Sequence, residues 1–71
     1  MKITHGEFEI YLGLPLMGID GRCVVAWALY RMPRTMGDQP EYLGATNGIS
    51  DEGLAMSTAL AESRLKANEL A

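Results

Sequence analysis

Cysteine occurs once in the 71 residues, at Cys23, so no internal disulfide can staple the chain. Histidine also occurs once, at His5, and one His with one Cys cannot supply the three or four ligands of a zinc site. No apolar run approaches membrane-spanning length, and the opening MKITHGEFEI lacks the apolar core segment of a secretory signal peptide. Basic charge is short too: nine acidic against six basic residues give a net charge of −3, which argues against binding nucleic acid by neutralising phosphates along one face. Neither G-x-G-x-x-G nor G-x-x-x-x-G-K-[ST] occurs, and there is no internal repeat. Together these absences point to one domain over residues 1–71, near the lower size limit for a single core, with no cofactor and a reducing, cytoplasmic location.

What is present is organised around residues 22–32, RCVVAWALYRM, whose two alternating faces are both apolar. In a strand, Cys23, Val25, Trp27 and Leu29 share one side, and Val24, Ala26, Ala28 and Tyr30 share the other. Phe8, Ile10, Leu12 and Leu14 alternate with Glu7, Glu9, Tyr11 and Gly13, the period of a half-buried strand. Residues 2–5 either extend that strand or fray. Asp20-Gly21 predicts a two-residue type I′ hairpin turn, with Leu14 opposite Trp27, Leu12 opposite Leu29 and Tyr11 opposite Tyr30. Residues 33–40, PRTMGDQP, read as a surface connection. A third strand follows over residues 41–46, with Asn47-Gly48 as a turn.

Ser50 reads as the N-cap of a helix running to about Leu70, with Asp51 and Glu52 at its positive end. Gly53, Ser57 and Ala61, flanked by Leu54, Leu60 and Leu65, form the row expected against the sheet, and Glu62, Lys66 and Glu69 share a polar face. Met56, Ala59, Ala67 and Leu70 make a second, weaker stripe free to meet another molecule. The expected core is therefore Phe8, Ile10, Leu12, Leu14, Val25, Trp27, Leu29, Leu54, Ala61 and Leu65.

Candidate chemistry is thin. Cys23 falls on the inward face, where a free thiol is usually a small buried hydrophobe, and Glu7 with Glu9 is commoner as a solvated strand margin than as an acid and base pair. No catalytic residue is expected, and the chain reads as a non-enzyme. Tyr11, Trp27 and Tyr30 near Arg22, Arg31 and Arg34 leave weak nucleic-acid binding as the alternative. The favoured expectation is a contact surface made by Tyr11, Gly13, Val24, Ala26, Ala28 and Tyr30, which takes a protein partner or a second copy as a homodimer. No membrane is involved.

The layout, with strands at FEIYLGLPL, CVVAWALYRM and EYLGAT before the helix SDEGLAMSTALAESRL, resembles small bacterial β-β-β-α proteins. It is similar to the sheet-plus-helix half of the double-stranded-RNA-binding fold and to the HicB-type antitoxin domain, whose helix also opens with acidic residues. The resemblance implies an α+β fold: a three-stranded antiparallel sheet with one C-terminal helix across one face. It implies no residue roles.

Overall fold

Alternation of large apolar residues fixes the middle of the molecule. In the computed structural model, which describes residues 1–33 and 39–71, the chain forms β1 (Lys2–His5), β2 (Phe8–Leu12), β3 (Leu16–Met17), β4 (Cys23–Arg31) and β5 (Tyr42–Ile49), followed by α1 (Glu52–Leu70). The fold is α+β with an antiparallel sheet and one C-terminal helix, but among the described residues the sheet has five strands and not three. Residues 34–38, within the expected surface connection, lie outside the described residues, as does Arg34.

Both extra strands come from chain breaks at small or cyclic residues. Gly6, at φ 58°, begins a two-residue turn that folds Lys2–His5 back on β2 as a hairpin of its own. Between β2 and β3 the pairing with β4 shifts by one residue, from Leu12 opposite Trp27 to Leu16 opposite Val24. Pro15 has no amide proton to give the ladder, so the shift falls beside it. Leu14, expected inward, consequently lies out of the ladder and is 81% exposed.

The β2–β4 register also differs from expectation. Leu12 faces Trp27 and Ile10 faces Leu29, two residues from the predicted pairing, and the even step preserves the faces. The cause is the turn. Gly21 N–H donates to Gly18 O and Gly18 N–H to Arg22 O, with Gly21 at φ 78°. Asp20 therefore sits at a corner with Ile19 instead of adopting positive φ, its carboxylate accepts from Arg22 N–H, and Gly21 is the bulge residue of a three-residue loop.

β5 runs past the predicted turn at Asn47-Gly48. Gly48, at φ 84°, is an extra residue in the ladder, since Val24 faces Asn47 while Cys23 faces Ile49. The helix N-cap is Asp51 and not Ser50: its side chain accepts from Leu54 N–H at 2.7 Å.

Phe8, Ile10, Leu12, Cys23, Val25, Trp27 and Leu29 form the buried floor, as alternation predicts for all but the misplaced Leu14. The face that α1 lays on this floor is Ala55, Ala59, Ser63 and Ala67, with Met56, Leu60 and Leu70 packed around it. That reverses the expected orientation: Leu54 and Leu65 are 57% and 63% exposed, and Ala61 is exposed with them. The helix is apolar on two opposite sides, so periodicity alone does not choose between them. The floor does, because large side chains from β2 and β4 leave space only for a row of alanines and one serine.

Trp27 sets that spacing. Its ring lies across Gly44 and stacks on Tyr42, centroids 5.6 Å apart at 29°, while the ring is 93% shielded given its 7% exposure. A Cβ on Gly44 would come within 2.6 Å of Trp27 Cε2. Gly44→Ala should therefore cost about 1–3 kcal/mol through overpacking and Trp27→Ala about 3–5 kcal/mol through the void it leaves. Urea unfolding of both single variants and the double variant checks the contact: the Gly44→Ala cost should nearly vanish in the Trp27→Ala background. Simple additivity would show that the ring does not occupy this position.

Candidate interaction surface

The side of the sheet away from α1 carries every residue of the expected contact surface. Val24, Ala26, Ala28 and Tyr30 project there from β4, and Tyr11 and Gly13 come from the strand beside it. Tyr11 is opposite Ala28, and Glu9 is opposite Tyr30, so the two tyrosines are diagonal and not direct neighbours. Their rings meet edge to face at 5.2 Å and 77°. Gly13 N–H donates to Ala26 O at 2.8 Å, and a Cβ at Gly13 would lie 3.2 Å from that oxygen.

Sequence reasoning missed part of this face. Leu43 and Ala45, opposite Ala28 and Ala26, extend it across β5, and Leu16, opposite Val24, extends it at one end. The alternation of Tyr42, Gly44 and Thr46 against Leu43 and Ala45 was the available signal for β5. Nothing in the chain before Pro15 signals the side on which Leu16 emerges. Between Tyr11 and Leu43, where Gly13 has no side chain and Ala26 and Ala28 have only methyl groups, the sheet holds a shallow apolar depression of about 380 Å³. Its margin is polar at the β1 end: Glu9 accepts from Tyr11 Oη at 3.3 Å and pairs with Lys2 Nζ at 3.8 Å.

The reactive side chains are placed elsewhere and committed to the fold. Cys23 is fully buried, and burial pushes its thiol up, with Glu52 and then Asp51 adding to the effect; a thiol held protonated is a poor nucleophile. His5 Nε2 lies 2.9 Å from Asn68 Oδ1. Among the described residues no three His, Cys, Asp or Glu side chains are grouped to hold a metal ion. No helix there is long and apolar enough to cross a membrane.

Arg31 is the centre of the polar contacts at the far end of the sheet. Its guanidinium donates to both carboxylate oxygens of Glu41 at 2.7 and 3.0 Å, to Glu7, and to Leu70 O at 3.0 Å, and it lies 4.6 Å from the Phe8 ring centroid. One cation thereby ties the β1–β2 turn, the start of β5 and the negative end of α1. No known protein family, curated protein or solved structure matches this chain.

The Arg31 guanidinium holds the Glu41 carboxyl below its usual range, chiefly through their hydrogen bond. In the unfolded chain Glu41 takes up a proton at higher pH than in the folded one. Its contribution is therefore present above the ordinary carboxylate range and is lost as pH falls through the depressed folded value. The pair is more than a third exposed, so screening keeps the effect small. Glu41→Gln should flatten the acid side of the stability profile, read by denaturant unfolding across a pH series. An unchanged acid slope would show that the pair does not act on stability.

Proposed function

We propose that this chain is a small non-enzymatic interaction or regulatory protein that binds a protein partner, or another copy of itself, through the open face of its sheet. The observation that carries the reading is the apolar depression between Tyr11 and Leu43, floored by Gly13, Ala26, Ala28 and Gly44. A small domain with a limited core gains most from covering such a face, and contiguous apolar patches of this kind mark contact sites. Binding is favoured over catalysis because Cys23 is buried and protonated, His5 is bonded to Asn68, and Arg31 is engaged by two carboxylates. The engagement of Arg31 and the acidic margin at Glu9 also disfavour a phosphate-binding sheet.

Ala26→Glu tests the reading, because Ala26 is exposed and a carboxylate there leaves the core untouched. With far-UV circular dichroism unchanged, the variant should lose at least one protein that the wild-type chain retains from its source cell. Identical retention by both would remove this face as the contact. Titration with single- and double-stranded RNA and DNA at two salt concentrations tests the other class. Salt-sensitive binding at low micromolar concentration would replace the proposal with nucleic-acid recognition.

A further inference from the structure

The two edges of the sheet are built differently. At one side β1 has four residues, carries Lys2 and holds it against Glu9, the sort of short, charged edge that discourages pairing with another strand. At the other side β5 has eight residues, Tyr42–Ile49, with no charge and no proline, and Leu43 is 69% exposed. Gly48 bulges the far end, and Pro40 lacks a donor just before the near end, so among the described residues the regular free edge is Tyr42 to Asn47.

The direction of the β5 backbone follows from its neighbours. Gly13 donates to Ala26 O, so Ala26 sends its peptide groups toward the β2 side, and Val25, Trp27 and Leu29 send theirs toward β5. Glu41 N–H donating to Leu29 O agrees with this alternation. Their partners Thr46, Gly44 and Tyr42 therefore bond inward, leaving the N–H and C=O groups of Leu43, Ala45 and Asn47 directed to the free edge.

We infer that a second copy of this chain pairs with this edge, β5 antiparallel to β5, with Gly44 opposite Gly44 of the second copy. In that register Leu43 and Ala45 of one chain exchange backbone bonds with Ala45 and Leu43 of the other. Charge selects the register. Lys66 stands over Tyr42, its Nζ 4.7 Å from the ring centroid and 3.2 Å from Glu69 Oε1, and Glu62 accepts from Thr46 Oγ1, so α1 places a cation, shared with Glu69, and an anion two strand residues to either side of Gly44. A two-fold axis through Gly44 sets Tyr42 level with Thr46 of the second copy and so Lys66 level with its Glu62, twice. Centring on Thr46 would set Glu62 against its own copy, and centring on Tyr42 would do the same to Lys66. The axis keeps both helices on one side and joins the two open faces into one continuous surface. This pairing does not depend on what occupies that face.

The test uses the full chain in sedimentation equilibrium from micromolar to millimolar concentration, with amide exchange followed by NMR. The expected result is a reversible dimer in which the Leu43 and Ala45 amides slow their exchange as concentration rises, while the inward Gly44 amide shows no such dependence. Ala45→Pro removes an edge donor without touching the β4 ladder and should leave a folded monomer. Lys66→Glu should weaken the dimer at least tenfold, and so should Glu62→Lys, while mixing the two variants should restore pairing between them, because each helix keeps its own like-charge i,i+4 pair and only the contact between chains is repaired. Ala26→Glu should leave it unchanged. A chain that stays monomeric throughout, or a dimer indifferent to Ala45→Pro with edge amides exchanging equally at all concentrations, overturns the inference.

Discussion

The approach of α1 to the sheet depends on one fit: a tryptophan lying flat where the neighbouring strand has no side chain. With Gly44 beneath it, the Trp27 ring spreads sideways over β5 and stacks on Tyr42, and the floor stays low enough for Ala55 and Ala59 to settle on it. Had β5 carried a Cβ there, the ring would have to rise into the layer the helix occupies. Among the described residues Trp27 Nε1 is buried without a hydrogen-bond partner, and what these residues give the ring is packing. Burying a polar N–H costs free energy, which the apolar area of the indole offsets.

From that spacing follows the unusual division of the helix. An alanine row can come close to a sheet of Phe8, Ile10, Val25 and Leu29, but it contributes little area of its own, and the larger Leu60 and Leu70 close the sides. Leu54 and Leu65 are consequently left on the outer face. The polar contacts compensate at the ends: Asp51 caps the first turn, and Arg31 takes the last carbonyl while holding Glu7 and Glu41. Arg31 thus supplies at the C-terminus the cation that the last turn of α1 lacks.

How far the chain could be read before its structure depended on how local each determinant was. Phe8, Ile10, Leu12, Val25, Trp27 and Leu29 were legible because strand alternation is a property of neighbours two apart. Tyr11, Gly13, Val24, Ala26, Ala28 and Tyr30 followed by parity, and parity survives the two-residue register difference that displaced every predicted pair. Leu14 was misplaced because a one-residue shift beside Pro15 reverses the faces, and nothing local specifies at which residue it falls. The orientation of α1 was misread for another reason: Gly53, Ser57 and Ala61 make as good a small row as Ala55, Ala59 and Ser63. Only the shape of the floor separates them, and that shape depends on Gly44 being across from Trp27, a relation between distant parts of the chain.

The same economy of side chains shapes the open face. Gly13 is small because Ala26 O receives its amide and leaves 3.2 Å for any Cβ, and Gly44 is small because Trp27 covers it from the other side. Of the two, only Gly13 would carry its side chain on the outer face, so the requirement of the backbone ladder hollows the stretch between Tyr11 and Leu43, where Ala26 and Ala28 add only methyl groups. Filling the hollow from within would require a side chain at Gly13 pressed on a carbonyl. A larger residue at position 13 therefore cannot cover this part of β4 without pressing on the ladder between Gly13 and Ala26.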